Sequence, residues 1–243
     1  MSSQTALVPT NKLLDALPIE ERKRFLRDCV RVELLLGTVL YEQGQRMPYV
    51  YFPTSGFVSM LTTVDDHFTL EVGMVGNEGV CGSACTLGSK VAAFRALVQG
   101  SGGAWRMETD AFLRHLRNMP ALRQLLERYL SIVLRQLAQS SGCLRFHTVE
   151  KRLARWLLMT HDRALVDSFK VTQEFLAYML GVRRAGVSEA ANLLQSRKLI
   201  RYSRGNMTIL NRGRLEAAAC ECYRRDLKTY EQGLAGPHKR RSR

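Results

Sequence analysis

No run of about 18 uncharged apolar residues occurs in the 243-residue sequence, so a membrane-spanning helix is not expected. Met1–Pro9 lacks the basic-then-apolar order of a secretory leader. A soluble, cytoplasmic protein without a membrane partner follows. Cysteine is sparse, and none of Cys29, Cys81, Cys85, Cys143, Cys220 and Cys222 forms a C-x2-C pair, which argues against a disulfide scaffold. Reduced thiols are expected. Cys81 and Cys85 read as two small buried residues or a redox pair, while Cys220 and Cys222, two positions apart on a last helix, point to different faces and are not expected to act together as ligands. Also missing are a Ser-His-Asp order, HExxH, a phosphate loop and paired carboxylates in a plausible cleft. No enzyme is expected.

What the chain does have is apolar content, 46%, sufficient for one large core or two smaller ones, and a net charge of +14 that is unevenly spread. From Thr148 onward there are 20 Lys+Arg against 9 Asp+Glu, or +11, leaving only +3 for the rest. Clustered basic residues displace counterions from a polyanion, so the C-terminal third is the place for a nucleic acid. Anionic lipid or an acidic protein would satisfy charge alone nearly as well.

Residues 10–30 read as a helical opening. Short β-rich runs follow at Val39–Tyr41, Tyr49–Phe52, Gly56–Val64, His67–Val75, Phe94–Gln99 and Ala104–Met107, separated by turn residues. In His67–Val75, Phe68, Leu70, Val72 and Met74 alternate with His67, Thr69, Glu71 and Gly73, which predicts one apolar face. Many short strands in about 80 residues suggest a small barrel or jelly roll. Pro120 opens a long helix, roughly Ala121–Phe146, with Leu122, Leu126, Tyr129 and Val133 at near-heptad spacing and Gln136 and Ser140 continuing the seam. That seam suits a dimer interface or, alternatively, a core. The expected divisions are 1–119 for a β-roll sensor, 120–147 for the dimerisation helix, 148–232 for a basic domain and 233–243 for a disordered basic tail.

Within the basic domain Thr172 is a good N-cap, Phe175, Leu176, Met179 and Leu180 form an apolar face, and Gly181 suits a left-handed helix end. Ala185–Lys198 is again helical, with Val187, Ala190, Ala191 and Leu194 inward. Helix, short turn, helix is the pattern of a DNA-binding motif whose second helix enters the major groove at its N-terminal end. That places Arg183, Arg184, Ser188 and Glu189 as base-reading candidates: arginine can donate twice to guanine, and glutamate can accept from cytosine. Leu199–Leu210 then makes two short strands around an Arg-Gly-Asn turn, a wing whose Arg201, Tyr202, Arg204 and Asn206, with Thr172, Gln173 and Lys198, suit phosphate contacts. Alternatively, Glu189 pairs with an arginine and Tyr202 packs beneath the wing.

These elements together resemble the Crp/Fnr family of bacterial transcription regulators. The resemblance runs over nearly the whole chain and rests on Gly44, Gly56 and the Gly76-Asn77-Glu78-Gly79 turn, on Val149-Glu150-Lys151-Arg152-Leu153-Ala154, on Thr172–Gly181 and on Leu199–Gly205. It implies an α+β chain: an N-terminal double-stranded β-helix of the cyclic-nucleotide-binding type, a dimerisation helix and a C-terminal winged helix-turn-helix. It also implies a homodimer on a two-fold DNA operator, with RNA polymerase as a further partner. The corresponding effector pocket would comprise Gly76, Asn77, Glu78, Gly79, Phe94, Arg95, Gln136 and Ser140. Relatives that bind cyclic AMP carry a Gly-Glu pair where Gly76-Asn77 stands, an Arg-Ser or Arg-Thr pair where Phe94-Arg95 stands, and Thr and Ser where Leu137 and Ala138 stand. The phosphate-binding arginine is thereby lost, Arg95 should point to the opposite face of its strand, and a cyclic nucleotide is not expected. An iron–sulfur cluster needs a cysteine group near the N-terminus, where only Cys29 lies in the first 80 residues, so no metal, haem or other cofactor is expected. Arg184 matches the first recognition arginine of the cyclic-AMP branch, whereas Ala185 and Glu189 replace its glutamate and second arginine. An effector-independent DNA binder, its β-roll only a scaffold, is the alternative.

Overall fold

Pro18 cannot continue the helix before it, and it splits the N-terminal apolar stretch in two. The computed structural model describes residues 10–65 and 68–234. It places α1 at Lys12–Asp15, capped by Asn11, whose side chain accepts from Leu14 N at 3.0 Å, and α2 at Ile19–Arg27. Seven strands follow: β1 (Val30–Leu34), β2 (Val39–Tyr41), β3 (Tyr49–Pro53), β4 (Phe57–Val64), β5 (Phe68–Val75), β6 (Arg95–Gly100) and β7 (Gly102–Glu108). They form two antiparallel sheets, ordered β1-β7-β3 and β2-β6-β4-β5, around a core that includes Phe52, Val58, Val98 and Met107. The expected β-roll is present. Strand β1 was not among the expected strands, because it is a sheet edge with Val30, Arg31 and Glu33 exposed and only Leu34 fully buried, so no strong alternation marks it.

Strand β5 departs from the expected single apolar face. Leu61 pairs with Glu71 but Ser59 pairs with Met74, with a register shift between Met60 and Leu61. One extra residue in a strand reverses which side chains share a face. Met74 therefore joins Glu71 on the outer face, and Met74 packs there with Phe57 and Leu61 against the C-terminal domain. His67 lies outside the described residues.

Helix α3 (Thr109–Asn118) leads into α4 (Pro120–Phe146), whose 27 residues span about 40 Å. The seam Leu122, Leu126 and Tyr129 is buried in the roll's own core, with Val133 packed against it, so in this chain it serves the core rather than a partner. A different stripe is left partly or largely exposed: Leu130, Leu134, Leu137, Ser141 and Leu144 recur at four- and three-residue intervals, with Leu130 and Leu137 half-buried and Leu134 65% exposed.

The C-terminal domain comprises α5 (Val149–Ala164), β8 (Ser168–Lys170), α6 (Gln173–Leu180), α7 (Arg184–Ser196), β9 (Ile200–Ser203), β10 (Asn206–Ile209), α8 (Arg212–Ala218) and α9 (Cys222–Leu234). The wing carries a third strand, in the order β8-β10-β9, since Ser168–Lys170 is too short to show a period. Helix α9 returns to α4, where the Tyr230 hydroxyl donates to Gln136 Oε1 at 3.1 Å. Residues 235–243 of the expected tail lie outside the described residues. No helix among the described residues is long and apolar enough to cross a membrane.

Candidate nucleic-acid interface

Local sequence sets the helix-turn-helix. The Thr172 hydroxyl accepts from Phe175 N at 3.1 Å to start α6. Gly181 ends it at φ +59°, with Gly181 N bonded to Tyr178 O and Val182 N to Ala177 O, a left-handed termination that glycine adopts without strain. Val187, Ala190, Ala191 and Leu194 are all buried on α7, so its opposite face is outward. Arg183 is the N-cap residue and Arg184 the first helical residue, one position earlier than expected.

Arg183, Arg184 and Glu189 are exposed and Ser188 is half-buried. Ser188 Oγ donates to Gln173 Oε1 at 2.9 Å, and Arg184 Nε approaches the same oxygen at 3.5 Å. Gln173 thus braces the start of α7 from α6. Lys198, Arg201, Arg204 and Asn206 are exposed, with Arg204 at the wing turn at φ +48°. Among the described residues Arg183, Arg184, Lys198, Arg201 and Arg204 have no ion-pair partner. Tyr202 differs: its hydroxyl donates to Val171 O at 2.9 Å and its N–H to Gln195 Oε1 at 2.8 Å. Its proton holds the wing to the domain and is not available to a phosphate.

Other basic residues of this domain serve the fold. Arg163 pairs with Glu78 of the roll at 2.7 Å, Arg155 with Asp226 at 2.7 Å and Arg212 with Asp162 at 2.6 Å, while Arg152 donates to Leu180 O. The count of +11 therefore overstates the charge available to a ligand. A cleft of about 930 Å³ runs between the β4–β5 tip and the start of α7, with Val64, Thr69 and Leu70 facing Arg183 and Arg184.

The domain is fastened to the roll by two carboxylates. Glu71 accepts from Trp156 Nε1 at 3.0 Å and from Ser59 Oγ at 2.5 Å. Burial pushes its carboxyl up to about 7 against those bonds and the nearby Arg163 and Arg155. Glu78, expected in an effector pocket, instead accepts from Gly76 N and holds Arg163. Gly79 admits Tyr129: a Cβ there would lie 2.3 Å from the Tyr129 hydroxyl. Phe94 and Gln136 line one small cavity of about 60 Å³ with Tyr129 and Val133, far below the roughly 300 Å³ of an ordinary ligand site. Arg95 faces away and pairs with Glu42 at 3.3 Å. Asn77 contributes its backbone carbonyl to Lys12 N, and Ser140 lines a separate pocket beside Glu71 and Trp156. The eight expected pocket residues are thus not brought to one cavity.

Cys81 and Cys85 are buried in the roll core, where burial raises both thiols. The other cysteines correct the sequence reading. Cys220 precedes α9, which begins at Cys222, so the two are not on one regular helix. Their sulfurs converge with Cys143 Sγ and a His147 ring nitrogen, all within 4.8 Å of one another. The C-x3-H spacing at the end of α4 was the signal for half of this group; the partnership with C-x-C depends on the fold.

The Crp-like helix-turn-helix domain family matches residues 151–218. No curated protein matches the chain. Among solved structures, a transcriptional regulator of the crp/fnr family from Eubacterium rectale shares the fold at TM-score 0.67 and 17% identity, over 85% of this chain and 96% of that one. The c-di-GMP-responsive global regulator CLP of Xanthomonas campestris aligns at TM-score 0.65 and 18% identity, covering 79% and 99%. FixK2 of Bradyrhizobium japonicum aligns at TM-score 0.66 and 16% identity, covering 79% and 98%. Residues 151–218 thus belong to the Crp-like helix-turn-helix domain family, and the chain that carries them has the fold of the solved Crp/Fnr regulators.

Proposed function

We propose that this regulator binds a two-fold DNA operator as a homodimer, reading bases with Arg183, Arg184, Ser188 and Glu189. Thr172, Gln173, Lys198, Arg201, Arg204 and Asn206 position it on phosphates. The observation that carries this reading is the set of exposed arginines without ion-pair partners at the start of α7, next to a similarly unpaired wing. Charges the fold does not use are free to displace counterions. Dimerisation uses the partly exposed stripe of α4, and RNA polymerase is the protein partner at the promoter.

A second element of the reading is control through the roll. Glu71 and Glu78 tie β5 and the following turn directly to Trp156 and Arg163 of α5, so any ligand that moves that turn also moves the DNA-binding domain. The small cavity at Phe94 and Gln136 argues against a nucleotide in this conformation.

Selection of bound duplexes from a random pool tests the proposal. Enrichment of an inverted repeat with half-sites about one helical turn apart is expected; a pool that remains random after repeated rounds contradicts it.

A further inference from the structure

Four metal-type donors meet at the junction between the long helix and the DNA-binding domain. Cys143 lies in the last turn of α4, and His147, four residues on, is the C-cap whose N–H still bonds Cys143 O at 3.1 Å, which keeps the two close together. Cys220 and Cys222 flank the start of α9, where the chain turns into the helix and so brings both sulfurs to one side. Cys143 Sγ lies 3.6 Å from Cys220 Sγ, and Cys222 Sγ lies 3.7 Å from His147 Nδ1. A tetrahedral zinc ion with bonds of about 2.3 Å to sulfur and 2.0 Å to nitrogen has ligand–ligand edges of roughly 3.5–3.8 Å. Two of the six donor–donor edges therefore already stand near tetrahedral length, and the other four lie within 4.8 Å. The donors are too close together to ring an iron–sulfur cluster, which must also hold its own bridging sulfides.

The surroundings fit an ion as well. The three cysteines are buried as a group of their own, apart from the two aliphatic cores. Arg152 and Arg155 lie within electrostatic reach of Cys143 and Cys220; with Arg155 paired to Asp226, the Arg152 guanidinium offsets the net −1 of three thiolates, a neutral imidazole and a divalent cation. The polypeptide around the donors is itself fixed: Gln139 Nε2 donates to Cys222 O at 2.7 Å and to Asp226 Oδ1 at 3.0 Å, and Asp226 pairs with Arg155. Such outer contacts orient metal ligands.

We propose that Cys143, His147, Cys220 and Cys222 form a closed Cys3His site for a thiophilic divalent cation of the zinc class. On binding, three S–H protons leave to solvent and three metal–thiolate bonds and one metal–imidazole bond form, with no change of oxidation state. All four positions are protein ligands, so no place remains for a reacting water and the site is structural. It clamps the end of α4 to the start of α9, and metal binding becomes stability of that junction.

Cobalt(II) titration of the reduced, metal-stripped full-length protein tests this directly. Saturation at one equivalent with visible bands of tetrahedral cobalt and near-ultraviolet thiolate charge transfer, both bleached by zinc, is expected. Cys220→Ser and Cys143→Ser, each leaving two thiolates, should weaken the charge-transfer bands by about a third or more and lose at least ten-fold in affinity, while Cys81→Ser keeps both. Should a variant misfold, the wild-type titration still decides, together with a rise in its melting temperature on adding zinc. Pale octahedral spectra, undiminished cobalt uptake in Cys220→Ser, or a Cys143–Cys220 disulfide that forms in preference to metal uptake would overturn the proposal.

Discussion

Glu71 shows how one side chain can carry the contact between two domains. Its carboxyl is raised by burial to about 7, with Ser59 from β4 and Trp156, Arg155 and Arg163 from α5 facing it. A carboxyl whose folded value lies above its unfolded one binds its proton more tightly in the folded state. Its contribution is complete below about 4.5 and is lost as pH rises through about 7. Thermal melts of Glu71→Gln between pH 4.5 and 8 should therefore vary less with pH than those of the wild type, with the variant gaining at the alkaline end; parallel curves would remove Glu71 from this role. At Gly79 the close approach of Tyr129 predicts that Gly79→Ala costs about 1–3 kcal/mol by overpacking. Denaturant unfolding of Gly79→Ala, alone and with Tyr129→Phe to remove the hydroxyl it meets, should show partial recovery in the double variant.

At the scale of elements, the helix-turn-helix was legible because its determinants are short-range. Thr172, Gly181 and the inward set Val187, Ala190, Ala191 and Leu194 all act within one or two turns. Removing the cap with Thr172→Ala should cost about 1 kcal/mol, read as a lower unfolding midpoint. The faces of β5 and α4 were less legible, since neither periodicity says what lies on the other side. A bulge moved Met74 across its sheet, and the roll and α9 claimed the α4 seam that looked suited to a partner. The partly exposed stripe at Leu130, Leu134 and Leu137 is thus the expected dimer seam. Leu134→Glu should convert the dimer to monomer in sedimentation while leaving the helical signal unchanged, because Leu134 is largely exposed in the single chain. A dimer that persists would place the interface elsewhere.

In the whole molecule, the long helix, the roll and the DNA-binding domain meet around α5 and α9. Glu71 and Glu78 hold the domain from the roll side, while Gln139, Asp226 and the cysteine–histidine group hold it from the end of α4. The effector pocket was the least legible part, because its expected residues were carried by position in the sequence. Glu78 and Gly79 proved to be engaged in packing Arg163 and Tyr129 instead. The proposed DNA recognition divides the work between the start of α7 and the wing. Dissociation constants for the selected operator and for random duplex, measured over a series of salt concentrations, test that division most directly. Arg184→Ala should reduce discrimination between the two by about 1–3 kcal/mol, and Arg204→Ala should weaken both and lower the salt slope by about one. Equal affinity of the wild type for operator and random DNA, or an Arg184→Ala variant that discriminates as well as the wild type, would contradict base reading by α7.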